Sequence, residues 1–263
     1  MTPYHRIYRI ALVLLLAAFS GCGGNEVPDI SAPAATQDDQ VKTEQDDQTK
    51  TEQDDQAKTE FEKGDDFFGR EDYDTAIACY TEAIRLNPNL ADAYAHRGFA
   101  YLSKGEYDKA IKDCTEAIRL DPNNVKAYAH RGFAYGSKGE YDKAIKDFSQ
   151  TIRLEPNNAL AYGGRGFAYL SKGEYDKAIK DLTEVIRLKP DDALAYANRG
   201  EAYYMAGEYD QAIKDCTETI RLDPNDADAY NNRGLAYKKK GDRRKAKADF
   251  DKYDSLRDKA SQN

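Results

Sequence analysis

The stretch Tyr94-Ala-His-Arg-Gly-Phe-Ala-Tyr101 recurs without change as Tyr128-Ala-His-Arg-Gly-Phe-Ala-Tyr135, an offset of 34 residues. The same interval extends outward in both directions. Glycine stands at 64, 98, 132, 166, 200 and 234, alanine at 76, 110, 144, 178, 212 and 246, and proline at 88, 122, 156, 190 and 224. A fixed period of this length is the mark of stacked supersecondary units. Within one unit, Tyr94, Gly98 and Tyr101 are three or four apart and share one helical face. Lys104-Gly105 stops that helix, because glycine accepts the left-handed conformation of a C-terminal cap. A second helix follows, with Asp108 in its first turn, where a carboxylate suits the helix dipole. Its apolar stripe is Ala110, Ile111, Cys114, Ile118 and Leu120. Asp121-Pro122-Asn123-Asn124 ends it and offers an Asn cap to the next helix. Gly98 and Ala110 are small, so the two helices can approach closely. One such hairpin cannot bury its stripe alone, and stacking supplies the missing neighbour.

This pattern resembles the tetratricopeptide repeat. The resemblance covers about 57-260 as units at 57-90, 91-124, 125-158, 159-192, 193-226 and 227-260. Tyr94, Tyr128, Tyr162, Tyr196 and Tyr230 fill the aromatic fourth position, and glycine and alanine hold the eighth and twentieth. The first unit departs: it lacks the fourth-position Tyr, and Glu71 replaces the glycine that ends its first helix. The resemblance implies an all-α, right-handed superhelical α-solenoid of about six helix-turn-helix units. The polar helix from Arg243 to Lys259 suits a solubilising cap.

Residues with reactive side chains carry no catalytic pattern. Cys79, Cys114 and Cys216 have no metal-binding or redox spacing, and Cys114 and Cys216 occupy the slot that Phe148 and Leu182 fill in other units. They read as packing residues. Arg97, Arg131, Arg165, Arg199 and Arg233 recur with Asp113, Asp147, Asp181, Asp215 and Asp249, which reads as structural ion pairing. His96 and His130 have no companion ligands for a metal. No phosphate loop, nucleophile elbow or catalytic carboxylate pair is present, so no enzyme activity, cofactor or metal is expected.

In tetratricopeptide arrays the first helices line a concave groove through positions 2, 5, 6, 9, 12 and 13. Carried onto this chain, the ninth position is Phe99, Phe133, Phe167, Glu201 and then Leu235; the sixth includes His96, His130, Asn198 and Asn232; the second includes Asp92 and Lys126. Three phenylalanines in register are expected to form an exposed apolar ladder for a protein or extended peptide. The opposing expectation is that each Phe tucks against the neighbouring helix. The Asn that a chaperone-tail clamp needs at the ninth position is absent, so an EEVD-type tail is not the expected ligand.

The N-terminus carries an address. Arg6 and Arg9 precede the apolar run Ile10 to Phe19, too short to span a bilayer, and Ser20-Gly21-Cys22-Gly23 follows. This resembles the signal and lipobox of bacterial lipoproteins, which implies removal of 1-21 and acylation of Cys22. Gly23, not Asp, then favours the outer membrane where one exists. After the linker 22-36, residues 37-60 repeat Gln-Asp-Asp-Gln-X-Lys-Thr-Glu three times, with Val41, Thr49 and Ala57 as X. An eight-residue period builds no buried face, so this acidic tether is expected to be a solvated coil, with a single helix as the alternative. As a coil, residues 23-60 would reach roughly 30–35 Å.

Charge follows the same division. The chain holds 39 Lys and Arg against 47 Asp and Glu, and residues 1-60 account for five of the former and eleven of the latter. The repeats are therefore close to neutral and give no nucleic-acid footprint. The basic run from Lys238 to Lys247 reads as a solvated terminal helix. The resulting expectation is a lipid-anchored scaffold in the bacterial cell envelope, binding a partner protein or extended peptide in its groove. The alternatives are a structural, self-associating array and a regulator of a cell-wall or secretion complex.

Overall fold

A computed structural model of the chain describes residues 37–261, with side chains over 49–259. The expected signal peptide 1-21, Cys22 and the linker 22-36 lie outside the described residues. The described chain is helical throughout and contains no strand: α1 Gln37–Gly69, α2 Tyr73–Leu86, α3 Ala91–Ser103, α4 Tyr107–Leu120, α5 Val125–Ser137, α6 Tyr141–Leu154, α7 Ala159–Ser171, α8 Tyr175–Leu188, α9 Ala193–Ala206, α10 Tyr209–Leu222, α11 Ala227–Lys239 and α12 Arg243–Ser261. The described residues form two compact units, divided between Ser137 and Lys138. In the first, α1 packs on α2, α2 on α3, α3 on α4 and α4 on α5, and the first helices α3 and α5 also touch. In the second, consecutive helices pack in the same way from α6 to α12, and α9 meets both α7 and α11.

Helix ends follow the local chemistry. Asn124 accepts a hydrogen bond from the Ala127 N–H at 2.9 Å, and Asn158, Asp192 and Asp226 cap α7, α9 and α11 in the same way. Gly105 takes φ 77° after α3, the left-handed stop that the sequence requires. Glu71, in the corresponding place of the first unit, takes φ 61° although it carries a Cβ. The turn geometry is thus kept at the cost of some strain, on the order of 1–2 kcal/mol.

Hairpins close where glycine faces a second-helix side chain. A Cβ on Gly98 would stand 2.7 Å from the Cys114 sulfur and 3.3 Å from the Ala110 carbonyl oxygen. Tyr80, Leu182, Cys216 and Phe250 oppose Gly64, Gly166, Gly200 and Gly234 in the same manner. Cys114 and Cys216 are thus core residues, both fully buried.

The recurring arginines tie three helices together. Arg97 Nε and Nη2 donate to the Asp113 carboxylate at 2.7 and 2.9 Å, and Nη1 donates to Thr81 Oγ1 of the preceding second helix at 3.0 Å. Arg165, Arg199 and Arg233 repeat this fork on Asp181, Asp215 and Asp249, with Ser149, Thr183 and Thr217 as third partners. Each guanidinium lies over the Tyr three residues earlier, as Arg97 does over Tyr94 at 5.6 Å. These pairs are structural, as the pattern predicts.

The acidic octapeptide tract differs from the expected coil. It is helical from Gln37 and runs without a break into the first hairpin, a helix of 33 residues and about 50 Å. The last copy is anchored: Ala57 is fully buried, and Asn87 donates to Asp54 at 2.9 Å. The hairpin supplies the nucleus, and extending a formed helix avoids the entropic cost that disfavours an isolated one.

Two substitutions test this account. Gly98→Ala should lower stability by about 1–3 kcal/mol, and Cys114→Ala in the same chain should recover most of that loss by removing the opposing sulfur. Glu71→Gly should raise stability by roughly 1 kcal/mol by relieving the left-handed residue. Thermal and urea unfolding of the single and double variants measures both effects.

Candidate functional site

Within each unit, positions 2, 6 and 9 of neighbouring first helices lie side by side, but not as an exposed apolar ladder. On the N-terminal unit the row begins with Asp65, the ninth position of the first repeat. Its Oδ1 accepts from the Tyr80 hydroxyl at 2.7 Å and from His96 Nδ1 at 2.7 Å. His96 Nε2 lies 3.2 Å from the Lys126 ammonium. An ammonium only donates, so Nε2 accepts and the ring proton sits on Nδ1, facing Asp65. Burial works against the Asp65 carboxylate, but the hydrogen bonds from His96 and Tyr80 and the nearby positive charge outweigh it, and its pKa falls below the usual value. Burial and the same hydrogen bond push the Tyr80 phenol well up. Asp92, also in this row, accepts from the Asn124 amide at 3.0 Å and so leans on the cap of the next first helix.

The phenylalanines are a correction. Phe133 and Phe167 are each only 4% exposed. Phe99 is half-buried against the cluster of Phe68, Ala76, Tyr80 and Ala100, with its ring 4.7 Å from Phe68. Its other face is stacked on the His130 imidazole, centroids 4.3 Å apart and 8° from parallel. The expected exposed ladder is absent because each ring gains more by covering its neighbours' apolar surface than water allows. His130 goes with it: it is 3% exposed, and its Nδ1–H donates to the Ala95 carbonyl at 3.3 Å. Burial, aided by the nearby His96, pushes its pKa down to about 3.

On the C-terminal unit three of these positions carry the polar residues Asn198, Glu201 and Asn232. Asn198 is 6% exposed, Glu201 and Asn232 are half-buried, and none of the three makes a side-chain hydrogen bond or ion pair. Burial lifts the Glu201 pKa above its ordinary value, and the Asp228 charge adds to the rise. At the sixth position of the fourth repeat the space is filled instead: a Cβ on Gly164 would lie 2.5 Å from the Phe148 ring. Sequence reasoning passed over Asp65 and Tyr80, and read Asn124 only as a helix cap. Asp65 was within reach, since it falls at the ninth position of its unit; the roles of Tyr80 and Asn124 are three-dimensional. Among the described residues no group of three His, Cys, Asp or Glu side chains is placed to hold a metal ion.

Paired helices at a 34-residue spacing, closed by glycine against the second helix, define a helical-hairpin repeat protein. Tetratricopeptide repeat models match residues 64–105 and 166–207, residues 91–124, 125–158 and 193–226, and residues 148–180 and 216–248. The solved structure of MamA is 32% identical, with a TM-score of 0.60 over 63% of this chain and 97% of that one. The chain belongs to the tetratricopeptide repeat family. YrrB, described as a TPR protein with an unusual peptide-binding site, is 26% identical with a TM-score of 0.61, covering 67% of this chain and 91% of its own. Hsp70-Hsp90 organizing protein 1 of Arabidopsis thaliana is 52% identical over 40 residues, 15% of this chain. The chain spans 7% of the length of that curated relative.

His130 makes the geometry testable by pH. Its pKa lies at about 3 in the folded chain against 6.5 for the ordinary group, so between these values the unfolded chain binds more protons. Its contribution is present above pH 6.5 and is lost as the pH falls, by up to ~1.4 kcal/mol per pH unit. His130→Gln should flatten the decline between pH 6 and 4.5, a window above most carboxylate titration, as measured by urea unfolding at each pH.

Proposed function

We propose that this chain is a membrane-tethered interaction scaffold, and that its first-helix face holds an extended segment of a partner protein. One observation carries the reading. The four units from 91 to 226 are near-copies, and their second helices hardly change, from YDKAIKDCTEAIRL to YDKAIKDLTEVIRL. Variation gathers instead at positions 2, 6 and 9 of the first helices: Asp92, Lys126 and Asp228; His96, His130, Gly164, Asn198 and Asn232; Phe99, Phe133, Phe167 and Glu201. A scaffold needs constant packing and a variable contact face. The family membership, and the peptide-binding site described for YrrB, support the same assignment. Phe133 and Phe167 act from below, by setting the shape of that face, while Asp92, His96, Lys126, Glu201 and Asn232 are the groups a partner can reach.

Anchoring rests on Arg6, Arg9, the apolar run Ile10 to Phe19 and the small residues before Cys22. Among the described residues no helix is long and apolar enough to cross a membrane. Acyl chains on Cys22 would supply the attachment, each buried methylene contributing about 0.8 kcal/mol. The long α1 then acts as a stiff spacer between the envelope membrane and the repeats.

Affinity capture from solubilised membranes tests both parts. A variant carrying Asp92→Lys, Lys126→Glu and Asn232→Arg should keep its helical circular dichroism and lose the partner recovered by the parent chain. Equal recovery by both would refute the groove. Cys22→Ser should abolish metabolic fatty-acid labelling and leave the precursor uncleaved; unchanged labelling would refute the anchor.

A further inference from the structure

One first helix departs from its copies, and every departure removes a cation or adds an acceptor or an apolar group. Relative to α3 and α7, α9 has Glu201 for Phe99 and Phe167, Tyr204 for Leu102 and Leu170, Met205 for Ser103 and Ser171, and Ala206 for Lys104 and Lys172. The helix after it has Gln211 where Lys109 and Lys177 stand. Residues 193–226 consequently hold three Lys and Arg against seven Asp and Glu.

These changes leave gaps in a regular pattern. Lys172 and Lys240 pair with Asp142 and Asp210 of the preceding second helices. Ala206 offers Asp176, the residue in the same register, no such lysine. Lys177 and Lys245 lie 5.2 and 5.1 Å from the Tyr169 and Tyr237 ring centres. Tyr203 has only Arg199, at 5.8 Å, which is already forked onto Asp215. Asn198, Glu201 and Met205 share one face of α9. Asn198 is more than nine-tenths buried yet has no polar partner, Glu201 is half-buried with none, and Met205 is 51% exposed, the exposed large hydrophobic among the described residues. Asp228 acts on Glu201 from α11, which packs against α9. The polar atoms of Asn198 and Glu201 remain open to solvent, and the component this acceptor-rich face lacks is a positively charged donor.

We propose that Asn198, Glu201 and Met205, with Asp228 and Asn232 of α11, form a subsite for a basic side chain, an arginine or lysine of an extended partner segment. Glu201 and the Asn198 amide oxygen accept its N–H groups. Asp228 adds charge, Asn232 borders the site, and the aliphatic stem lies along Met205. This deepens the groove reading and rests on it.

Met205 is also the probe. The chain has two methionines, Met1 and Met205, so methyl-labelled methionine gives an assignable NMR signal at the subsite. The full chain is titrated with three capped short peptides that differ only at a central arginine, citrulline or glutamate. The arginine peptide should shift the Met205 methyl and bind at least about tenfold more tightly than the citrulline peptide, and the glutamate peptide should leave it unmoved. Glu201→Gln should erase the arginine preference without changing helicity. Equal binding of the three peptides, a preference that survives Glu201→Gln, or no shift at Met205 would each overturn the subsite. A shift that grows with protein concentration in the absence of peptide would also overturn it, because a second copy would then be the occupant. Running Glu201→Gln in the membrane capture separates the two readings. A partner lost by the Asp92, Lys126 and Asn232 variant but kept by Glu201→Gln removes only this subsite. A partner indifferent to both removes the groove.

Discussion

The closeness with which two helices of a hairpin meet governs the rest of this molecule. At Gly98 there is no room for even a methyl group, because the Cys114 sulfur occupies that space. Interior packing at this density makes single-atom changes costly, and each glycine is therefore matched to one side chain of its second helix. The approach also brings Arg97 within reach of both Asp113 and Thr81. A wider hairpin would leave a half-buried guanidinium facing a nearly buried carboxylate without the fork that satisfies both. Loss of one partner from such a pair typically costs ~3–5 kcal/mol, whereas the intact pair adds little over an apolar substitute. The arginine fork thus specifies the register of three helices more than it adds stability.

Packing and contact face are not independent. The residue opposite the eighth-position glycine also reaches toward the sixth position of the next first helix. Tyr80 does so to His96, its ring 5.9 Å from the imidazole, and Phe148 fills the space above Gly164. A large aromatic below therefore permits only a small residue above, as at Gly164. The Tyr80 hydroxyl allows a different solution, since it shares Asp65 with His96. Variation on the face is thereby limited by choices made one helix away in the core.

Much of this was legible in the sequence, and the misses share a cause. Helix ends, glycine contacts, Asn and Asp caps and the Arg–Asp pairing repeat at one interval, so each could be read from spacing and side-chain chemistry. Burial of Phe133 could not, because the period places a side chain on a face but does not say which neighbour covers it. Phe99 is covered partly by Phe68 and partly by His130, residues 31 positions before and after it. Seen along the chain, His130 is a polar edge for a ligand; in the fold it is one face of an aromatic stack. The octapeptide tract misled for a related reason. Its own period builds no buried stripe, but it is continuous with a helix that other residues hold in place, and Ala57 and Asp54 tie its end to the first hairpin.

The two compact units handle the same row of positions in opposite ways. In the first, every polar group of the row answers another: Tyr80 to Asp65, Asp65 to His96, His96 to Lys126, and Asp92 to Asn124. A network satisfied internally is rigid, and a ligand gains little by competing for groups already engaged. In the second, Asn198, Glu201 and Asn232 hold no such bonds, and burial raises the pKa of the Glu201 carboxylate. That difference leaves the acceptors of one unit open to a partner's donors. A donor able to pair with a half-buried carboxylate is favoured over an isostere that cannot.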